Sequence, residues 1–521
     1  MTLRFTSIQL PLAALLGALN VLAFAPFGAW PIQLLTLALL IWRLLKIDSV
    51  KQGLLLGWAF GFGWSVCGVY WLYISMHVYG GMPAWITALA VCLLALFVGL
   101  HAAAATGLTI WLRRRWSASP VMTALAIFPA LWALSEWIRG WIFTGFPWLV
   151  SGYAHTASPL AGYAPIIGVY GLGMIAALIG GCLALLPNKN VQGKLGGIAA
   201  IVILLIGMGI HKIDWTKPTG QPISVRLLQG NIAQEMKFDP AKIDQTLALY
   251  RDLISAAPAD LIATPETAIP LLQTQLPPEY LPAIAQFARQ SGSYIAVGIP
   301  ITDGPNLYAN SVLGFSPNTA GNVGDGVNRP PIYRYDKHHL VPFGEFIPYG
   351  FHWFVDLMNI PLGDFTRGAP VQPPFAVKDQ WVLPNICYED LFGEEIAAQL
   401  AASASAGHPA ATILLNMSNI AWFGDSIALP QHLQISQMRS IETGRPMLRA
   451  TNTGTTAVID PHGNVTAHLP PLTRGALAAS IQGYTGNTPY IQLGNRLLLI
   501  LATLLLAAAR LSGRQRMTKK V

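Results

Sequence analysis

Eight apolar runs, each close to the length a helix needs to cross the hydrocarbon core of a bilayer, limit this chain's fold more than any other feature. They lie at residues 9–26, 30–46, 53–76, 84–112, 117–138, 160–186, 195–211 and 490–510, the second and seventh being the shortest. A crossing takes about 20 apolar residues. Charged residues make up only 11% of the 521, against 53% hydrophobic, whereas a soluble domain carries about a quarter charged. Much of the chain is therefore expected in lipid, as a bundle of about eight transmembrane helices. Met1-Thr-Leu-Arg4 and the first run have the outline of a signal peptide, but no small-residue cleavage site follows, so this run reads as a retained helix.

Basic residues set the orientation, because Lys and Arg collect in short cytoplasmic loops. Arg43, Lys46 and Lys51 follow the second run, Arg113, Arg114 and Arg115 the fourth, and Lys189 and Lys194 the sixth; Arg510, Arg514, Arg516, Lys519 and Lys520 close the chain. The alternate loops hold almost none, apart from Arg139. Both termini are thus expected in the cytoplasm and the long interval between runs seven and eight on the outer face. The predicted organisation is seven helices over 1–211, an extramembrane domain over 212–489, and an eighth helix with a basic tail over 490–521. The net charge of +8 is accounted for by these loops and the tail, so no nucleic-acid partner is inferred.

The interval 212–489 is long enough for one full domain. Short β-rich runs appear at 223–230, 260–264, 294–299, 310–315, 332–336, 381–387, 411–416, 446–452 and 455–460, with helical patterns at 240–256, 278–290, 394–405 and 428–443. Such alternation predicts α/β layers, helices packed on sheets. The Gly/Pro/Asn stretch 316–331 reads as a surface loop.

Candidate chemistry sits at three strand ends. Cys67, Cys92 and Cys182 fall inside apolar runs, leaving Cys387, at the end of Trp381-Val-Leu-Pro-Asn-Ile-Cys387, without an outer-face partner. No disulfide is expected, and a free thiol on an oxidising face is a liability unless it is used. A thiol near its free pKa of ~8.5 is mostly protonated at neutral pH, so a nearby carboxylate base and a stabilising cation would both help. Glu266, in Thr264-Pro-Glu-Thr-Ala268, suits the first role and Lys337, in Tyr335-Asp-Lys-His-His339, the second. Lys337 could also stabilise an oxyanion, with a backbone N–H near Tyr388 as second donor. The spacing equally allows a surface ion pair and an inert buried thiol. Adjacent residues on a strand face opposite ways, so His338-His339 does not suggest a metal.

Longer motifs carry a resemblance. Pro265-Glu266, Tyr335-Asp-Lys337-His-His-Leu-Val-Pro-Phe-Gly-Glu345 and Ile386-Cys-Tyr-Glu389 resemble the Glu-Lys-Cys motifs of the nitrilase, or carbon–nitrogen hydrolase, superfamily. Phe24-Ala-Pro26, Tyr79-Gly-Gly81, Gly145-Phe-Pro-Trp148, Gln229-Gly-Asn231, Trp422-Phe-Gly424, Gln431-His432 and Arg445-Pro446 through Gly454 extend the likeness over nearly the whole chain. Together with eight spans, these resemble the bacterial apolipoprotein N-acyltransferase family. The resemblance implies an αββα nitrilase-like sandwich on a membrane bundle, in the inner membrane with the domain in the periplasm. It implies Glu266 as general base, Lys337 as oxyanion stabiliser and Cys387 as nucleophile, with Glu345, Tyr388, Glu389, Asn310 and Phe238 in support. It implies that Cys387 takes an acyl chain from a phospholipid as a thioester and passes it to the N-terminal amine of a diacylglyceryl-cysteine apolipoprotein, with no metal or cofactor; a monomer is expected. Two positions depart from the family pattern: Ile420 stands where Asp is usual and Phe238 where Trp is usual.

Further features have two readings each. The aromatic stretch 346–369, with Phe351, Trp353, Phe354 and Met358, is either a lid dipping into the lipid interface or a segment packed on the domain. Glu136 and Arg139 either contact a lipid headgroup or pair at a helix end; Trp148 reads as an interfacial anchor. Two other functions share these features: an anchored amidase using water as acceptor, for which eight spans serve no purpose, and an inactive transporter or lipid-binding protein, against which the scarcity of intramembrane charge argues.

Overall fold

The computed structural model describes residues 8–187, 191–305, 307–318, 332–347, 365–403 and 405–518. The chain forms two compact units. One comprises Met1–Tyr73, Pro83–Ile213 and Leu493–Val521, the other Ile74–Met82 and Asp214–Gln492.

In the first unit every one of the eight apolar runs contains a helix. Among the described residues five are long and apolar enough to cross a membrane: Ala84–Arg115, Pro120–Arg139, Pro159–Leu185, Val191–Ile210 and Arg496–Arg516. Gln9–Ala23 and Pro31–Leu44 are shorter, and Val50–Gly68 opens on the polar pair Lys51-Gln52 and is rich in glycine. Those glycines serve packing. A Cβ on Gly63 would lie 1.9 Å from the Ala14 carbonyl oxygen, and one on Gly17 would lie 1.9 Å from that of Phe60, so the two helices meet backbone to backbone, as small residues allow in membranes. Leu195, Ile198, Ile201, Val202 and Leu205 remain exposed along Val191–Ile210, an apolar face too long to stand in water. Trp148 is only 3% exposed and packs on Trp71 at 4.8 Å between ring centroids. Glu136 and Arg139 are buried as well. The Glu136 carboxylate accepts from the Ser151 N–H at 2.9 Å and hydroxyl at 2.8 Å, and Arg139 donates to the carbonyls of Phe146 and Trp148.

The second unit is a sandwich of two six-stranded sheets. The first holds β1 (Lys217–Gln229), β2 (Leu261–Ala263), β3 (Tyr294–Gly304), β4 (Leu307–Phe315), β5 (Tyr333–Asp336) and β12 (Gly475–Thr485), in the order β12-β1-β2-β3-β4-β5. The second holds β6 (Phe375–Val377), β7 (Gln380–Ile386), β8 (Ile413–Ser418), β9 (Met447–Thr451), β10 (Ala457–Ile459) and β11 (Val465–His468), in the order β11-β10-β9-β8-β7-β6. In each sheet the central strands, β1-β2-β3 and β7-β8-β9, run parallel. Alternate residues of the two sheets meet in one core: Ile223, Val225 and Leu227 on one side, Ile413, Leu415 and Met417 on the other. The opposite face of the first sheet, with Ile262, Ile295 and Val297, is covered by the helices Ile243–Ser255 and Tyr280–Ser291. That of the second, with Leu383, Leu414 and Met447, packs against Ile396 and Leu400 of the helix Gly393–Ala402. The result is the layered αββα arrangement. Strands buried on both faces read as unbroken apolar runs, which is why Leu261-Ile-Ala and Ile413-Leu-Leu are visible in sequence.

Candidate active site

Each of the three candidate groups lies within three residues of the end of a strand. Glu266 lies on the turn after β2, and this turn rests on Gly298 of β3: a Cβ there would be 2.2 Å from the Pro265 carbonyl oxygen and 2.8 Å from the Thr267 nitrogen. The Gly298 N–H donates to the Thr264 hydroxyl at 3.0 Å, fixing the turn to the sheet. Lys337 follows β5, its N–H donating to the Asn310 carbonyl of neighbouring β4 at 2.8 Å. Cys387 follows β7 with φ of 52°. A non-glycine residue in the left-handed region is strained and is held there by its surroundings.

The side chains converge. Lys337 Nζ donates to Glu266 Oε1 at 3.1 Å and to Glu345 Oε1 at 2.8 Å. Asn310 Nδ2 donates to the same two oxygens, both at 2.8 Å. Glu266 Oε2 accepts from the Asn419 N–H at 2.8 Å and Glu345 Oε2 from the Val341 N–H at 2.8 Å, and Cys387 lies close enough for the Glu266 and Lys337 charges to act on its thiol. Glu345 therefore touches the cation directly, and Asn310 ties both carboxylates together. Glu389 plays a different part: its carboxylate accepts from the backbone N–H groups of Ile386 (2.6 Å), His338 (2.7 Å) and His339 (3.2 Å) and from the Tyr335 hydroxyl (3.0 Å). It fastens the cysteine turn to the segment that bears Lys337. Tyr388 is buried, its ring 5.3 Å from that of Phe392 and 5.8 Å from His339.

The electrostatics follow from burial and neighbours. Burial alone would raise the Glu266 pKa, but Lys337, Lys237 and the hydrogen bonds from Asn310 and Asn419 hold it below the ordinary carboxylate value. Burial pushes Cys387 well above the usual thiol value, the Glu266 charge adds to this, and Lys337 offsets only part of it. Burial opposes the charge on Lys337, yet Glu266 and Glu345 raise its pKa and keep it protonated. The resting site is a neutral thiol beside an ionised carboxylate that is itself paired to an ammonium. Such a base can take the thiol proton as the sulfur attacks.

Sequence reasoning missed several neighbours. Lys237 is buried, with Nζ 3.3 Å from the Glu266 carbonyl oxygen and 5.9 Å from the centre of the half-buried Phe238 ring. Burial lowers its pKa to about 8 against the pull of Glu266 and Cys387. Its position beside Phe238 was a signal, but nothing in the spacing brings residue 237 to Glu266. Asn419 acts through its backbone, which no sequence motif reveals. Ile420 is buried with its side chain against Gly454, so an apolar contact occupies the position of the absent Asp. Phe351, Trp353, Phe354 and Met358, and most of the loop expected at 316–331, lie outside the described residues.

A family model described as the apolipoprotein N-acyltransferase N-terminal domain matches residues 16–182, and one described as carbon-nitrogen hydrolase matches residues 224–490. An apolipoprotein N-acyltransferase of Ralstonia nicotianae is 51% identical over 507 residues, covering 97% of this chain and 93% of that protein. Proteins of the same name from Nitrosomonas europaea and Bordetella bronchiseptica are 44% identical over 513 residues and 42% identical over 535 residues. The first alignment covers 96% of this chain and 97% of its relative; the second covers 97% of each.

Proposed function

The chain belongs to the apolipoprotein N-acyltransferase family, and from that membership and the geometry around Cys387 we propose that it moves a fatty acyl chain from a membrane phospholipid to the N-terminal amine of an S-diacylglyceryl-cysteine lipoprotein. The observation that carries this reading is the buried Glu266 carboxylate paired to the Lys337 ammonium, with Cys387 close enough for both charges to act on its thiol. In the first half-reaction the sulfur attacks the donor's ester carbonyl while its proton passes to Glu266. A C–S bond forms and the carbonyl oxygen becomes an oxyanion. Lys337, with two of its three N–H groups on carboxylates, offers the third to that oxygen, and the Tyr388 N–H is the second donor. Collapse breaks the ester C–O bond, Glu266 returns the proton to the glycerol oxygen, and a lysophospholipid leaves. In the second half-reaction the lipoprotein amine attacks the thioester and gives a proton to Glu266. The C–S bond breaks, the thiol is reprotonated and an amide remains. Proton transfer of this kind contributes roughly 10²–10⁴-fold, and each well-placed oxyanion donor about 10²–10³-fold.

The basic loops between apolar runs support an inner-membrane protein with both termini in the cytoplasm and the sandwich in the periplasm. The test of the chemistry is intact-mass measurement of the detergent-solubilised protein after incubation with phosphatidylethanolamine. Wild type should gain one fatty-acyl mass that is discharged by a diacylated lipopeptide amine, while Cys387→Ala and Glu266→Gln gain none. Discharge to free fatty acid with no preference for the lipopeptide would make the chain an amidase-type hydrolase instead, and the absence of any adduct on wild type would overturn the reading.

A further inference from the structure

The backbone carbonyl of Cys387 is gripped from behind the site. His432 Nε2 and Asn416 Nδ2 each lie 3.3 Å from this oxygen. Arg449 Nη2 lies 2.6 Å from His432 Nδ1. A guanidinium donates and cannot accept, so Nδ1 must be the acceptor and the ring proton must sit on Nε2, facing the Cys387 carbonyl. Burial and the Arg449 charge both hold His432 in its neutral form. The guanidinium is itself fully buried and fixed: Nη1 donates to the Ser436 hydroxyl at 2.5 Å and to Asp390 Oδ2 at 3.3 Å, and Ser436 and Asp390 are hydrogen-bonded to each other. Asn416 also donates to Asn385 Oδ1 at 2.7 Å. All these groups belong to the second sheet or to elements packed on it.

The Cys387 carbonyl and the Tyr388 N–H are the two ends of one planar amide. Whatever fixes the carbonyl also fixes where that N–H points, and a carbonyl accepting two hydrogen bonds makes its own N–H a stronger donor. Cys387 itself has a φ of 52°, a strained setting that persists only where the surroundings hold it. Resting on the acyl-transfer reading above, we infer that His432, oriented by Arg449, is a positioning residue that aims and polarises the Cys387–Tyr388 peptide toward the oxyanion of the tetrahedral intermediate.

The test separates oxyanion stabilisation from mere integrity of the thiol. Full-length wild type, His432→Phe and His432→Gln, in detergent micelles containing phosphatidylethanolamine, are followed for single-turnover thioester formation by intact mass. The same proteins are then followed for alkylation of Cys387 by iodoacetamide, read on the Cys387 peptide. Alkylation displaces iodide from a saturated carbon and passes through no oxyanion. His432→Phe, which fills the space without a donor or an acceptor, should slow thioester formation about 10- to 100-fold and change alkylation by less than about twofold. His432→Gln, whose amide both accepts and donates, should recover most of the acylation rate. If the phenylalanine variant does not fold, His432→Asn carries the same expectation, because its amide meets Arg449 but is too short to reach the Cys387 carbonyl. Acylation at the wild-type rate in the donor-less variant, an equal loss of both reactions, or a glutamine variant no better than phenylalanine would each overturn the inference. A wild-type protein that forms no thioester would overturn the acyl-transfer reading and this inference with it, and that result needs no variant to recognise.

Discussion

Glu266 keeps a charge that its burial would otherwise remove. Two ammonium groups and two hydrogen-bond donors outweigh desolvation, and Lys237 is the contributor the sequence hid. A cation favours the charged form of a neighbouring carboxyl, so removing it raises that pKa. Lys237→Gln should therefore move the acid limb of the thioester-forming rate to higher pH than in wild type, read from single-turnover rates between about pH 4 and 8; an unmoved limb would show that Lys237 does not act on the base. Glu389 makes a different point. Burial raises its pKa to about 7, against three backbone N–H donors and Lys337. Glu389→Gln sets an amide among groups that all donate, and it should cost about 1–3 kcal/mol, seen as a lowered thermal midpoint together with slower acylation. A variant with wild-type stability would mean that the turn holds without this anchor. The motifs around residues 266, 337, 345 and 387 made these acidic and basic partners legible. The backbone N–H of Asn419 was not, because its hydrogen bond depends on the fold and not on its side chain.

At the level of elements, the strands that sequence discloses are those whose burial leaves a pattern. β2 and β8 are buried throughout and stood out as apolar runs. β11 alternates half-buried with exposed positions over Val-Thr-Ala-His, and β12 is built largely of Gly, Ala and Ser, so neither offered enough apolar side chain to mark it. β6 is three residues long. The apolar helices of the first unit were all visible, but their ends were not: the run expected over 53–76 holds a helix that stops at Gly68. Close approach is what β3 provides under the Glu266 turn. Gly298→Ala would drive a methyl group into backbone on three sides, the Glu266 Cα at 3.0 Å among them. Neither sheet nor turn can yield as a side-chain end would, so a loss of about 1–3 kcal/mol in stability is expected, with acylation reduced further than the lowered stability explains. Differential scanning fluorimetry beside the mass assay would check this, and an active, equally stable variant would show that the turn can move.

For the whole molecule, orientation across the membrane rests on where the basic residues fall. Gln245 is exposed on the sandwich unit and Arg516 near the chain's end. In intact spheroplasts, Gln245→Cys should react with a membrane-impermeant maleimide above the background of the parent chain, whereas Arg516→Cys should react only after permeabilisation. The reverse pattern would invert the topology. The sandwich has one more consequence, which concerns the order in which the protein is made. Glu266, Asn310 and Lys337 come from one sheet and Cys387 from the other, and the first sheet is not complete until β12, residues Gly475–Thr485, pairs with β1. While the chain is still being synthesised, Glu266 and Lys337 emerge first, with no Cys387 beside them. The cysteine emerges later into a half-built sheet, as an ordinary thiol. Only a finished domain brings the two halves together, so the site would stay silent until the second sheet and β12 are in place.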